Sequence, residues 1–408
     1  MAAINLKNKN QSIVIIIFLA FIVRILFLIT VPDLKKLNYY EYGEIVKNLQ
    51  NGNGYSLFYF ENDSLRIKYK IGTEPFKSAY MPPGYAVFLF PFFLINDDIF
   101  RNIFILLIQI IISSINVFLL FRLTSHIFSK NAAIIAALIY ALLPEFIYAS
   151  CNINIVVLYH TGILAFFYML VQGKIFSSYQ KLAVFILVII FLIYLRFEFI
   201  IFILLFGAIA YRELGIKKLA IIYLSLLILL SPWLIRNNIV FRHFPLLSTS
   251  TGLNLFRGHN EHFVGYWGDE SFDKSLAQFQ RPGYEIDANN FYKEKAISFI
   301  SSHPKDEIIY SFQKLFHLWV FNNDDQRTGS IYYKLPALLI LFAFLLGVFY
   351  SFSISRFKYF YLFFVFFSII SVVFFALPRY QTMLKVAIIP FAAQGSILIW
   401  NYLKLKFK

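Results

Sequence analysis

Two carboxylates near the N-terminus have the type and the spacing for acid–base chemistry. An apolar stripe at i, i+3, i+4 and i+7 indicates one face of an amphipathic helix: Tyr42, Ile45, Val46 and Leu49. Glu41 and Glu44 fall on another face, and the Asn-Gly-Asn-Gly run at 51–54 is a typical helix end. Such a helix lies at the lipid–water boundary. Its carboxylates either take a proton in a reaction or form a solvated face, and the spacing leaves both roles open.

Basic residues that could bind a phosphate stand at three later points. Arg236 and Asn237 follow the end of a hydrophobic segment, and Arg257 lies in the polar stretch after it. Arg379 and Tyr380 lie between two late hydrophobic segments. Guanidinium and amide groups hold phosphate by charge-assisted hydrogen bonds. The same groups also suit the anchoring of helix ends at the headgroup level.

Further polar residues are predicted at the same membrane face. The run Tyr-Met-Pro-Pro-Gly-Tyr at 80–85 predicts an extended chain and a rigid turn into the membrane. Other candidates lie at turns or in polar loops: Glu145, Arg196, Glu198 and His259. Arg24 lies inside the first hydrophobic segment, where a charge is either functional or satisfied by a structural partner such as Glu198.

The composition determines which elements position these residues. Hydrophobic residues are 59% and charged residues 14% of the 408 residues, against about 45–50% and 25% in soluble domains. The mean hydropathy is +0.68. No soluble core buries so much apolar side chain, so we expect an all-α polytopic membrane protein. Its single cysteine, Cys151, excludes an intrachain disulfide.

Ten segments are predicted to span the membrane as helices, which takes about 17–25 apolar residues each. They are residues 12–30, 101–122, 131–150, 153–171, 181–195, 197–211, 217–235, 333–353, 357–377 and 381–401, of which 181–195 and 197–211 are short. The apolar segment 84–95 is too short to cross. The N-terminal segment lacks a small-residue cleavage site, so it is interpreted as a first span rather than a signal peptide.

The net charge of +15 is explained by topology rather than by a nucleic-acid partner. With both termini in the cytoplasm and no crossing at 84–95, the inside segments carry many Lys and Arg residues and one acid, Glu213. The positive-inside rule therefore favours ten spans. Two polar segments then lie outside, 32–100 and 236–332.

This topology divides the chain into three parts. Residues 1–235 are a seven-span module that contains the first outer loop and its juxtamembrane helices. Residues 236–332 are a folded second outer loop, with short helices at 288–302 and 304–320 separated at His303-Pro304. Residues 333–408 are a three-span region. No Walker A run, dinucleotide motif or zinc-type spacing of His and Cys is present, which argues against ATP-driven transport and a bound nucleotide sugar.

Taken in order, these pieces resemble the polyprenyl-phosphate-sugar glycosyltransferases of the C-type fold, the relatives of protein O-mannosyltransferases and of the lipid A aminoarabinose transferase. The resemblance covers nearly the whole chain. It rests on the acidic helix closed by residues 51–56, on residues 80–85, on residues 232–237 leading to 252–260, and on Arg379-Tyr380. The family has a catalytic carboxylate, usually Asp, just after the first span. Here no Asp lies between Asp33 and Asp63, so the resemblance implies Glu41 as the counterpart and Glu44 as the second choice.

The resemblance implies an inverting single displacement at the outer face of the plasma (inner) membrane. A carboxylate base takes the proton of a lipid, glycan or protein acceptor, which attacks a sugar carried on polyprenyl phosphate. The implied donor phosphate-binding residues are Arg236, Asn237, Arg257, Arg379 and Tyr380. The implied substrate cleft is lined by Tyr80, Pro82, Pro83, Tyr85, Glu145, Arg196, Glu198 and His259. Family members differ in their use of a divalent metal, and this sequence is compatible with a divalent metal but does not require one.

The alternative function is a transporter or flippase of a lipid-linked glycan intermediate. Such a protein is expected to have charges in the middle of its spans and two alternating halves. Here the polar candidates cluster at one predicted membrane face, which favours a one-sided enzyme.

Overall fold

The structure, a computed structural model, describes residues 9–31, 33–61, 64–173, 177–242, 247–261, 283–322, 328–354 and 357–407. In these ranges almost every element is a helix. The sheet found there is one antiparallel pair, β1 (Tyr59–Glu61) and β2 (Ser64–Arg66), with Tyr59 opposite Arg66. The prediction of an all-α membrane protein is confirmed.

The helices are, in chain order, α1 (Lys9–Thr30), α2 (Tyr40–Gln50), α3 (Pro83–Leu89), α4 (Asp98–Ile127), α5 (Lys130–Leu142), α6 (Pro144–Ser150), α7 (Val156–Val171), α8 (Tyr179–Leu195), α9 (Phe199–Phe241), α10 (Thr251–Gly258), α11 (Tyr284–Ser302), α12 (Pro304–Trp319), α13 (Ile331–Ser351), α14 (Lys358–Val373) and α15 (Pro378–Lys406). A 3₁₀ turn, Phe90–Leu94, extends α3.

Several of these helices are long and apolar enough to cross a membrane. Within the described ranges there are five: Gln11–Thr30, Asp98–Ile127, Phe199–Phe241, Ile331–Ser351 and Pro378–Lys406. The pair α5 and α6, bent by 57°, makes a sixth if it counts as one span. The chain is therefore a multi-pass membrane protein. The other predicted spans are helices too, but α7, α8 and α14 are shorter, so the number ten stays a prediction.

The long helix α9 is a hairpin rather than a straight rod. Gly215 has a φ of 71°, a conformation that residues with a Cβ rarely adopt. The Tyr223 hydroxyl donates to the carbonyl oxygen of Ile203 at 3.1 Å, although the two residues would be about 30 Å apart in a continuous helix. The chain therefore reverses at Gly215, and the predicted segments 197–211 and 217–235 are its two arms.

Arg24 satisfies the backbone where α5 breaks. Pro144 has no N–H, so the last carbonyls of α5 lose their helical partners. Arg24 donates to Tyr140 O at 3.1 Å, to Ala141 O at 3.0 Å and to Ser113 Oγ at 2.9 Å. The suggested partner Glu198 is therefore wrong, and the intramembrane charge has a structural role.

The turns that join the helices fall into two groups according to the contacts that they make with one another. In the first group, Tyr359 at the start of α14 donates to Glu213 in the α9 hairpin at 2.5 Å. In the second group, Arg196 after α8 lies 3.3 Å from Met383 in α15. Helix α4 runs from one group to the other: Arg101 near its start donates to the Tyr39 hydroxyl just before α2 at 2.9 Å, and Phe128 just after its end stacks on Phe357 just before α14, with ring centroids 5.1 Å apart. The two groups therefore mark opposite ends of the bundle, and the candidate residues belong to the second.

The helices after α10 lie in the same second group. They are α11 and α12, separated at His303-Pro304 as the proline predicts, with α11 beginning before the predicted 288. Residues 262–282 of the predicted second outer loop lie outside the described residues.

Candidate functional site

Helix α2 presents its two carboxylates on the face opposite to its apolar stripe. Ile45 and Val46 are fully buried, and the Tyr42 ring packs edge-on against Tyr85 of α3 with centroids 5.1 Å apart. The stripe is therefore buried in the protein. The amphipathic pattern alone predicted instead that the stripe would lie on lipid. Glu41 and Glu44 are partly exposed on the other side.

The two carboxylates differ in their partners. Glu44 accepts hydrogen bonds from Lys47 Nζ at 2.9 Å and from the backbone N–H of Tyr69 at 2.6 Å. The Glu41 carboxylate has neither a hydrogen bond nor an ion pair to any residue that the structure describes. Glu41 thus keeps its lone pairs free, whereas Glu44 ties α2 to the following loop.

Arginines of the late turns face the same region as Glu41. Arg379 is exposed and has no hydrogen-bond or ion-pair partner in the described part of the chain, and its guanidinium lies 5.5 Å from the Tyr380 ring. Arg196 lies 4.2 Å from the same ring. Burial raises the pKa of the Tyr42 hydroxyl, and four charges act on it, strongest first: Arg379, Glu41, Arg196 and Glu198. Tyr42 therefore marks the point where α2 meets these turns.

Arg196 and Glu198 form an ion pair at the turn between α8 and α9. Arg196 Nη2 donates to Glu198 Oε1 at 2.7 Å. Burial disfavours the charge on Glu198, but Arg196 outweighs it and holds the pKa of Glu198 below its usual value. The pair and Tyr380 line a small cleft whose other walls are mostly apolar, among them Phe366 and Ile370.

Tyr80 and Arg257 bring the second polar segment to the site. Burial raises the pKa of Tyr80 to about 12, and its hydroxyl is hydrogen-bonded to Arg257 and feels the charge of Glu41. Arg257 is buried in α10, which packs closely on its neighbours. A Cβ on Gly258 would lie 1.6 Å from the carbonyl oxygen of Phe374, so glycine is required there.

Arg236 and Asn237 are not grouped with Glu41. They connect the first polar segment, 32–100, with the second, 236–332. Arg236 donates to Ser78 O at 2.6 Å, to Tyr55 O at 2.7 Å and to Asn237 Oδ1 at 2.9 Å. These bonds engage both ends of the guanidinium, so the contacts are those of a structural anchor.

Glu285 completes this anchor and was not singled out from the sequence. Its Oε2 accepts from Ala79 N at 2.9 Å and from the Thr249 hydroxyl. Burial raises the pKa of Glu285, although these hydrogen bonds oppose the shift. Its Oε1 is buried without a hydrogen-bond partner among the described residues. A single acid in a polar segment gives no sequence signal, because its partners lie far away in the chain.

Glu145 and His259, both predicted in the cleft, belong to separate clusters. Glu145 accepts from Thr382 Oγ1 at 2.9 Å and forms an enclosed ion pair with Lys385, a residue that the sequence reasoning missed. His259 Nδ1 lies 2.6 Å from Glu307 Oε2, and its Nε2 lies 2.8 Å from Val373 O.

The proline segment forms the wall beside Tyr80. Pro82 is extended, with φ −60° and ψ 142°, and Pro83 starts α3. The Tyr85 hydroxyl donates to Gln109 Oε1 at 2.7 Å inside the bundle. These residues support the position of α2 and Tyr80.

The other carboxylates near Glu41 are paired with basic side chains. In the described part of the chain no three His, Cys, Asp or Glu side chains are grouped as metal ligands. Glu44 is bonded to Lys47 and Glu198 to Arg196. The remaining charges near Glu41 are cationic.

No protein-family model matches this sequence, and no curated protein matches it. Solved structures of an archaeal oligosaccharyltransferase match its fold. AglB from Archaeoglobus fulgidus, in complex with an inhibitory peptide and a dolichol-phosphate, is 13% identical with a TM-score of 0.58; the match covers 98% of this chain and 51% of that one.

Two further structures from Archaeoglobus fulgidus agree. The oligosaccharyltransferase tethered to an acceptor peptide containing the NVT sequon is 12% identical, with a TM-score of 0.59 over 98% of this chain and 50% of that one. The complex with Zn and sulfate is 13% identical, with a TM-score of 0.53 over 97% and 50%.

These likenesses define the fold of the chain. The chain shares the fold of the matched part of this archaeal oligosaccharyltransferase. The chain spans about half the length of the oligosaccharyltransferase chains that it matches.

Proposed function

We propose that this chain is a membrane glycosyltransferase that moves a sugar from a polyprenyl-phosphate donor to an acceptor hydroxyl or amine. The observation that carries the proposal is the unpartnered carboxylate of Glu41, which shares the surroundings of Tyr42 with the unpartnered guanidinium of Arg379. The C-type fold supports it, since the oligosaccharyltransferase that shares the fold was solved with a dolichol-phosphate.

Glu41 is the proposed base. A base needs a free lone pair within reach of the acceptor proton, and Glu41 is a partly exposed carboxylate without a partner in the described ranges. Proton removal in the transition state typically contributes about 10²–10⁴-fold. Glu44, which sequence reasoning kept as the second choice, is assigned a positioning role because Lys47 and Tyr69 occupy it.

Arg379 and Arg257 are the proposed phosphate-binding residues. A phosphate leaves the anomeric carbon without a general acid when its growing charge is held by fixed cations. Arg379 is exposed and free of partners in the described chain, and Arg257 donates to Tyr80 next to Glu41. Arg236 and Asn237 are instead assigned to joining the two polar segments, because their contacts are intramolecular.

Attack by the acceptor on the face opposite to the phosphate gives inversion in a single displacement. The apolar cleft beside Tyr380 and the Arg196–Glu198 pair lies close to the site. The proposed donor carries one sugar on a polyprenyl monophosphate, as the sequence resemblance implies. The proposed acceptor is a lipid, a glycan or a protein.

The proposed topology has ten spans, cytoplasmic termini and the site outside the plasma (inner) membrane, with parts at 1–235, 236–332 and 333–408. The hairpin at Gly215 supports it, because it separates two arms within α9. A cysteine replacing Lys130 should resist impermeant thiol reagents added to whole cells, while one replacing Lys305 should react. The opposite pattern would reject this topology.

The function is tested by transfer in proteoliposomes. Wild type and Glu41→Gln are given a panel of radiolabelled polyprenyl-phosphate sugars with a membrane extract as the acceptor source. Label should move with wild type and fall by about 10²–10⁴-fold with the variant. Lipid-linked glycan crossing between leaflets, without consumption of any donor, would favour the flippase.

A further inference from the structure

Helix α12 carries an apolar face that is largely exposed, although Phe316 at its C-terminal end packs edge-on against Phe321. The exposed fractions are 60% for Ile308, 55% for Ile309, 69% for Phe312 and 41% for Phe316. Residues 308, 312 and 316 follow one another at i+4 and therefore share one side of the helix. Exposing this much apolar surface to water is unfavourable by about 25 cal/mol per Å².

Two hydrogen bonds fix the height of α12 against the spanning helix α14. Lys314 Nζ donates to the carbonyl oxygen of Val372 at 3.0 Å, and Trp319 Nε1 donates to Ser368 Oγ at 2.9 Å. As the chain runs from 314 to 319, it passes from the end of α14 toward the middle of α14. The C-terminal half of α12 therefore descends beside α14 into the membrane.

Helix α14 is short for the layer that it crosses. Its 16 residues give a length of about 24 Å at 1.5 Å per residue, whereas the hydrocarbon layer is about 30 Å thick. The shortfall of about 6 Å corresponds to about four helical residues. Lys314 of α12 reaches the last turn of α14, so α12 lies beside the end at which the chain leaves α14.

Helix α14, which lies beside α12, also carries exposed apolar residues. Val365 and Ile369 of α14 are 54% and 51% exposed on the outside of the bundle, where only lipid tails can cover a spanning helix. Lys305 and Asp306 are exposed at the other end of α12. From Lys305 to Phe316 the helix rises about 16 Å, enough to run from the headgroups into the acyl chains.

We propose that α12 is embedded in the leaflet on the Glu41 side, with Phe312 and Phe316 against lipid acyl chains and Lys305 at the headgroups. The helix is thus part of the membrane-facing surface and not part of a soluble domain. It also bears Glu307, which is bonded to His259 two residues after Arg257. Its depth in the lipid therefore sets the height of α10 above the membrane.

The depth of α12 is measured with nitroxide-labelled cysteines in the full-length protein in liposomes, on a Cys151→Ser background. The labelled positions are Lys305→Cys, Phe312→Cys and Phe316→Cys. The reference for lipid is Phe342→Cys, because Phe342 of the spanning helix α13 is 59% exposed. Collision with oxygen, which concentrates in lipid, is compared with collision with a water-soluble nickel chelate.

The ratio of oxygen to nickel collisions should rise from 305 to 312 to 316 and approach the value at 342. High nickel access at all three positions would overturn the proposal in favour of water. Low access of both reagents at 312 and 316 would also overturn it, because a protein partner would then cover the face.

A second variant keeps the test valid if the cysteine replacements do not fold. Phe312→Trp retains a large apolar ring at the position. Brominated acyl chains should quench its added fluorescence, whereas aqueous iodide should not. Quenching by iodide alone would contradict the proposal.

Discussion

Two regions at the same end of the bundle each combine a glutamate with an arginine. They differ in whether these side chains already have hydrogen-bond or ion-pair partners within the described chain. Around Arg236, the guanidinium is bonded to Ser78 and Tyr55, and the nearby Glu285 is buried. Around Glu41, neither the carboxylate nor the guanidinium of Arg379 has a partner in the described chain. Both pairs lie at the same end of the bundle, and the pair of Glu41 and Arg379 is the one that we propose binds the substrate.

The buried ion pair of Glu145 and Lys385 should give the largest loss of stability when one of its partners is removed. Lys385→Met leaves Glu145 buried without its counterion. Breaking such a pair costs about 3–5 kcal/mol, so we expect a large fall in the thermal midpoint of the protein in detergent. The double variant with Glu145→Leu should recover most of that loss. An unchanged midpoint in the single variant would contradict the structural role.

The two arginines should respond in opposite ways to the same substitution. Arg379→Gln should lower the transfer rate by about 10²–10³-fold, the usual effect of removing one group that stabilises developing charge. Its thermal midpoint should stay at the wild-type value, because no described bond is lost.

Arg236→Gln is the matched control. It should lower the thermal midpoint, since each buried acceptor left unpaired costs about 1–3 kcal/mol. Its rate per folded molecule should stay within about tenfold of wild type. A greater loss of rate in Arg236→Gln than in Arg379→Gln would reverse the assignment of the two regions.

The smallest expected effect is a change in pH dependence at Glu285. Burial raises the pKa of Glu285 above the ordinary value of about 4.3. At a pH between the ordinary and the raised value, the carboxyl is protonated in the folded state and ionised in the unfolded state. The free energy of unfolding should therefore fall as the pH rises from the ordinary value through the raised one. Glu285→Gln should remove this part of the slope. Parallel curves of thermal midpoint against pH for the two proteins would show that Glu285 does not titrate in this way.

Local patterns in the sequence predict the elements well. The apolar stripe predicts α2, and the proline at 304 predicts the break between α11 and α12. Both depend on periodicity and backbone geometry within a few residues.

Partners that are distant in sequence are not predictable in this way. Arg236 meets Ser78 across 158 positions, and Lys385 meets Glu145 across 240. Such contacts depend on how the helices pack, which no local spacing records. For this reason the sequence leaves open whether Arg236 binds a phosphate or anchors a helix end, whereas the structure shows it bonded to Ser78 and Tyr55.

The comparison of Glu41 with Glu44 shows which carboxylate of α2 acts as the base. Both are glutamates one helical turn apart on α2, but only Glu44 is bonded to Lys47 and Tyr69. The measurement is the rate of sugar transfer by Glu41→Gln and Glu44→Gln in proteoliposomes, with the thermal midpoint of each. Glu41→Gln should lose about 10²–10⁴-fold in rate at an unchanged midpoint, and Glu44→Gln should lose stability while keeping most of its rate. Full activity in Glu41→Gln, or the larger loss of rate in Glu44→Gln, would contradict the account.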